Sequence, residues 1–543
     1  MRTPQADEEA TMIGDADTRS LARRSLSSVN ELVDPRISPA ERPPDATLDE
    51  GYLRQLTDHR HHTDQHHKEE KNEKKVEQSA SEDTADETIY VEFEDDDPRD
   101  PMNFSYGRKW AITITASMFS LITASSSGAY ALGFTSMTRD LNATQFQATV
   151  GLAMYTLGFA LLPLVTTSFS EEVGRQPIYL VTGAGCLLMH MMTALMSKYI
   201  EWATSLHALS GADYLPLLRR GLPMSIFATM ALSGTGVGCV AAGWIEQTPH
   251  MEWRWIQWIH VIWIGLFLIT VPICMKETRS GVLLTRLAKK MRKQTENHHY
   301  RARIEDERAS LRTLIYISCT RPIYLLFTEP VVAAFSLWAG FAWGILFALV
   351  ESIGPAFRTV HGFNTGQTGT AFTAMIVGCF VGFAIQMYQE KLYAKYQPTK
   401  GPEARLYSAC LAAVLFPVGM FIYAWCTFPS VPWIGMAIGI FVFLIALVII
   451  YVAVFTYLAD CYGIFASSAL AGQSLSRNIM GTVFPLFTTQ LFARLTYHWG
   501  TTLFGCIAVL MIPIPYVLLW KGPAIRARSK FASQVMHPPA EHK

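Results

Sequence analysis

Along this chain, long apolar runs alternate with short polar segments, and the polar segments hold nearly all the charge. A bilayer core about 30 Å thick is crossed by roughly 20 residues of helix rising 1.5 Å each. Runs of that length fall near 110–134, 147–168, 177–197, 221–244, 255–275, 329–350, 367–388, 406–428, 433–458, 465–490 and 501–520. Eleven membrane-spanning helices are therefore expected.

The loops set the orientation, because Lys and Arg accumulate in loops that stay in the cytosol. Arg108 and Lys109 precede the first run, and Lys521, Arg526, Arg528 and Lys530 follow the last. Between them, Lys276 to Arg321 holds twelve Lys or Arg against five Asp or Glu. Both ends and the central loop are thus expected inside, which requires one more crossing in the first part. It has to lie within Tyr199 to Leu218, where Glu201, His207, Asp213 and Pro216 sit. A charge at a helix centre costs about 2.5–3.5 kcal/mol on insertion scales, so this fourth span reads as truncated. The expected plan is all-α and polytopic, with two six-helix bundles. It comprises a disordered cytosolic tail (1–104), a first bundle (105–276), a basic loop (277–321), a second bundle (322–521) and a short tail (522–543).

Composition narrows the function. Half of the 543 residues are apolar, 17% are charged and the net charge is zero, so lipid is the expected partner and nucleic acid is not. The nine cysteines lie in or beside apolar runs without paired spacing and read as small core residues. His59, His61, His62, His66 and His67 have no pre-organised geometry for a metal. A Gly-x-x-x-x-Gly-Lys-Ser/Thr phosphate loop is missing, and titratable groups are sparse in the spans, which argues against a pump or an enzyme. No cofactor is expected, and the chain reads as a monomer.

Charged groups inside apolar helices are expensive and so carry information. Arg477 lies about a dozen residues into the eleventh span, beside Gln473 and Asn478, and is assigned to solute binding. Glu351 stands near the outer end of the seventh span, with Trp343 and Phe347 on a similar face, an arrangement suited to a cationic solute. Ser126 on the first span and Tyr155 on the second are assigned to the cavity wall. Asp460, with Arg405, and the group Glu171, Gly174 and Arg175 stand at cytosolic helix ends and are assigned as gating residues. Gly234, Gly236, Gly238 and Gly243 form a small-residue face for close packing.

Several segments together resemble the fungal drug and polyamine proton antiporters of the major facilitator superfamily. Asp97-Pro98-Arg99-Asp100-Pro101-Met102-Asn103-Phe104-Ser105 is similar to the segment before their first span. Ser170-Glu171-Glu172-Val173-Gly174-Arg175-Gln176-Pro177 is similar to their signature loop, departing from it at Gln176. Trp253-Arg254-Trp255, Glu277-Thr278-Arg279-Ser280-Gly281, Pro402-Glu403-Ala404-Arg405 and Tyr457-Leu458-Ala459-Asp460 extend the match. The resemblance implies a secondary transporter that exports polyamines, drugs or other small organic cations against protons by alternating access, in the plasma membrane or the vacuolar membrane. The truncated fourth span keeps open a receptor-like or inactive relative of the same fold.

Overall fold

The computed structural model describes residues 88–94, 97–195, 221–306 and 310–536. The doubtful fourth crossing and the five tail histidines lie outside the described residues. Contacts divide the chain into two units: the residues up to Phe104 with Thr278–Ile317, and Ser105–Glu277 with Ser318–Lys543.

In the smaller unit, β1 (Ile89–Tyr90) pairs in parallel with β2 (Tyr300–Arg301). Val91, Ala288 and Ala302 are buried there with Leu284, Leu287 and Ile304 packed around them. The end of the expected tail and the expected central loop are therefore built into one small body. The sequence reading missed it because its apolar positions are few and divided between two distant segments.

The larger unit is helical. Its first half comprises α1 (Tyr106–Leu132), α2 (Phe134–Asp140), α3 (Gln145–Val173), α4 (Arg175–Leu195), α5 (Gly221–Gln247) and α6 (Glu252–Cys274). Next come α7 (Ser280–Thr295) of the small unit and α8 (Leu311–Thr328), which leads into the second half. That half comprises α9 (Pro330–His361), α10 (Thr365–Ala371), α11 (Thr373–Lys400), α12 (Leu406–Trp425), α13 (Trp433–Tyr462), α14 (Ala466–Met511) and α15 (Pro513–Arg528). Helix is found at all eleven expected spans. The last loop expected outside shrinks to one non-helical residue inside α14, Thr496.

Among the described residues, seven helical stretches are long and apolar enough to cross a membrane, two of them containing several of these helices. Helix α1 is not among them. Its many hydroxyls turn back onto its own carbonyls, with Thr115 donating to Ala111 O (2.8 Å) and Ser117 to Thr113 O (2.8 Å). Polar side chains of this kind tolerate an apolar setting because the helix satisfies them itself.

The glycine face of α5 sorts onto two partners. A Cβ on Gly238 would stand 1.9 Å from Ser125 O, so α1 and α5 touch backbone to backbone within the first half. A Cβ on Gly243 would stand 2.7 Å from Gly369 Cα, so the same helix meets α10 of the second half just as closely. Small residues permit both approaches, and one helix thereby ties the first half together and docks it on the second.

Candidate functional site

Two seams join the halves. Along one, α3 faces α9 and α14. Thr149 Oγ1 donates to Glu351 Oε1 (2.6 Å), Thr156 Oγ1 meets Thr482 Oγ1 (3.0 Å), and Asn478 Nδ2 donates to Phe159 O (3.1 Å). Along the other, at the end that the loop charges assign to the outside, Gly366 N donates to Gln247 Oε1 (2.7 Å) and Trp244 Nε1 to Thr370 Oγ1 (3.1 Å).

Glu351 is held from both halves. Its Oε1 accepts from Thr149 and also from Thr489 Oγ1 on α14 (2.9 Å), while Oε2 is buried without a partner. It is 6% exposed, so it is a buried acid at the seam.

Arg477 is 1% exposed. Gln473 and Arg477 are four residues apart on α14 and share one face. That face meets α9, where a Cβ on Gly481, one further turn along, would stand 3.1 Å from both Trp343 and Phe347. The guanidinium lies 4.4 Å from the ring centre of Trp343, 4.7 Å from Tyr451 and 5.5 Å from Phe455, the last two one turn apart on α13. No hydrogen bond or ion pair to Arg477 is formed among the described residues. Its Nε and Nη1, both amide atoms of Gln473 and Trp343 Nε1 are buried without partners. Taking an ion out of water costs several kcal/mol. A desolvated cation over a ring recovers about 2 kcal/mol or more. The cage therefore offsets part of the cost and leaves the hydrogen-bonding capacity unspent.

The Trp343 ring assigned to a solute cation carries the chain's own guanidinium, and Glu351 is engaged by threonines. Two other assigned residues are committed inside the first half. Tyr155 donates its hydroxyl to Thr123 O (2.8 Å), and Ser126 Oγ bonds His190 Nε2 (3.2 Å).

Ser126 leads to a network the sequence reading did not identify. His190 on α4 and His260 on α6 stack with ring centres 5.2 Å apart. His190 Nδ1 donates to Gln257 Oε1 (2.6 Å), and His260 Nδ1 donates to Ile256 O (2.8 Å), since both oxygens are carbonyls. Ser125 Oγ faces His260 Nε2 (2.9 Å). The residues are scattered over three helices, so no local spacing reveals them. His190→Leu removes the partner of buried Gln257, and an unmet buried polar group costs about 1–3 kcal/mol. The variant is expected to melt earlier in detergent, and an unchanged melting curve would contradict the network's role.

The residues expected to gate lie at helix ends. Gly174, at φ +105°, closes α3. Immediately after it, Arg175 N and Gln176 N donate to the two carboxylate oxygens of Glu277 (3.1 and 3.2 Å), so a carboxylate caps α4 where the helix dipole favours it. Glu277 entered the sequence reading only through the resemblance, yet it is what the tight turn is shaped around. The Glu171 side chain lies outside the described residues. In the second half, Arg405 bonds Asp460 and also Glu390 Oε1 (3.1 Å), and Tyr393 donates to Asp460 Oδ2 (2.9 Å). The bonds to Asp460 thus lie within the second half and do not cross between halves.

The end of α2 and the first turn of α6 form a charged cap on Asp140, which accepts from Trp253 Nε1 (3.1 Å) and Arg254 Nη1 (2.7 Å). Burial alone would push its carboxyl up, but hydrogen bonds from Arg139, Trp253 and Arg254 outweigh that and hold it below the usual range. This support is present above the ordinary carboxylate pKa and is lost as pH falls through the lowered value. All nine cysteines are free.

A family model described as Major Facilitator Superfamily matches residues 114–468. The "Major facilitator superfamily multidrug transporter mdrA" of Aspergillus fumigatus is 31% identical over 474 residues, covering 84% of this chain and 77% of the relative. The "MFS-type efflux pump MFS2" of Trichophyton rubrum is 31% identical over 456 residues, 81% of this chain and 76% of the relative. Among solved structures, the proton:xylose symporter XylE bound to 6-bromo-6-deoxy-D-glucose matches with a TM-score of 0.54 at 14% identity, covering 77% of this chain and 96% of that one. The human organic anion transporter MFSD10 (TETRAN) matches with a TM-score of 0.51 at 11% identity, covering 75% and 99%.

Proposed function

This chain belongs to the Major Facilitator Superfamily, and from that premise we propose that it is a proton-coupled efflux carrier for drug-like organic solutes, working by alternating access. The observation that carries the reading is Glu351, whose Oε1 takes one hydroxyl from each half, Thr149 and Thr489. A carboxyl at that position can couple the gain or loss of a proton to the grip between halves, because a proton on the carboxyl weakens it as an acceptor. Opening to the outside also requires the α5 contacts to Gly366 and Thr370 to break. The multidrug transporter and efflux pump among its relatives support export of small organic molecules, and the plasma membrane is the membrane proposed for it.

A second reading, export of polyamines or other organic cations, is favoured by Glu351 Oε2, a buried acceptor without a partner. The test is solute accumulation by the purified chain in liposomes carrying an imposed pH gradient. Uphill movement that stops when the gradient is collapsed by a protonophore supports the carrier. Saturable binding without flux identifies a receptor-like relative instead.

A further inference from the structure

Five buried polar atoms without partners belong to three neighbouring residues, Arg477 over the Trp343 ring and Gln473 one turn before it: Nε and Nη1 of Arg477, both amide atoms of Gln473, and Trp343 Nε1. Orphans of this kind are rare singly in native proteins, so their convergence calls for an occupant. Four of the five are nitrogens that donate, and Gln473 Oε1 alone accepts. Trp343, Tyr451 and Phe455 supply flat apolar walls around a permanent positive charge that has no acid beside it among the described residues. A solute cation placed here would meet a guanidinium head-on. A planar anion with two acceptor oxygens would meet a donor fork of matching shape.

We propose that the Arg477, Gln473 and Trp343 cluster is a carboxylate subsite, and that the chain's solutes include organic acids with an aromatic or alkyl body. In this arrangement the guanidinium pairs the carboxylate, and Gln473 and Trp343 Nε1 take the remaining acceptor positions. The body of the solute lies against the aromatic rings. The inference deepens the transport reading by naming a substrate class, but binding itself needs no flux and is measured separately.

The test is isothermal titration calorimetry on the full chain in detergent with three matched probes: 4-phenylbutanoate, its methyl ester and 4-phenylbutylamine. The acid is expected to bind and the ester and amine to bind at least about tenfold more weakly, the scale of one charge-assisted pair. Arg477→Lys keeps the charge but loses the planar fork, and is expected to weaken acid binding about tenfold without changing amine binding. Gln473→Ala, which leaves the buried charge in place, is expected to weaken it about fivefold, the worth of one hydrogen bond. Equal or tighter binding of the amine overturns the proposal. So does an Arg477→Lys protein that folds and binds the acid as the parent does, and so does failure of the parent to bind a panel of aryl and alkyl carboxylates. Binding of the acid with no flux in liposomes would leave the subsite standing and remove the carrier reading alone.

Discussion

Replacing Glu351 by glutamine is expected to abolish uphill transport while leaving solute exchange intact. A gradient of about one pH unit stores about 1.4 kcal/mol per proton, enough to hold a roughly tenfold solute gradient at one proton per solute. The parent chain in liposomes should approach that ratio, and the Glu351→Gln chain should level the solute across the membrane. Glutamine has the same shape, and its carbonyl oxygen can still accept from Thr149 and Thr489, so the seam between halves is preserved. What disappears is the only group at that seam able to carry a proton among the residues bonded there. Counterflow, in which labelled solute exchanges for unlabelled solute without a pH gradient, separates the two roles. Exchange retained with accumulation lost assigns coupling to Glu351. Accumulation retained at the parent's level refutes it, and loss of both marks the residue as structural. Thr149→Val and Thr489→Val, which remove one donor each, are expected to change the rate of exchange without removing coupling.

What could be read from the sequence depended on how far apart the contributing residues lie. The spans were legible because each is one continuous apolar run, and helix covers every clear one. Helix ends were less so: α9 runs on to His361, where Gly362 at φ +67° ends it, well beyond the apolar stretch. Arg477 and Glu351 stood out because an ion inside an apolar helix is costly. Their surroundings did not, because Tyr451 and Phe455 come from α13 and Thr149 from the other half of the molecule. A charge announces itself locally, whereas its partners are chosen by the fold. Trp343, expected beside a solute, thus turns out to lie against the chain's own arginine as well. The histidine pair shows the limit most plainly, since His190 and His260 are each unremarkable alone and acquire meaning only when α4 and α6 pack.

A single methyl group at Gly174 should be severe. Gly174→Ala is expected to lower the protein's resistance to unfolding by about 2–4 kcal/mol, from two separable causes. The backbone at φ +105° and ψ 166° lies in a region open essentially to glycine, and forcing a side chain into it costs about 1–3 kcal/mol. The added Cβ would also stand 2.3 Å from Glu277 Oε2, displacing the carboxylate that caps α4, a loss of about 1 kcal/mol. Asparagine, which tolerates ordinary left-handed turns, gives no rescue here because ψ is extended and the collision remains. The measurement is the fraction of monodisperse protein left after heating in detergent, for Gly174→Ala, Glu277→Ala and the pair together. If both causes operate, Glu277→Ala alone loses the cap. Adding it to Gly174→Ala then costs little more, because the alanine has already displaced the carboxylate. Fully additive losses would mean that the carboxylate keeps its place beside alanine, and that backbone strain alone makes glycine obligatory at this turn.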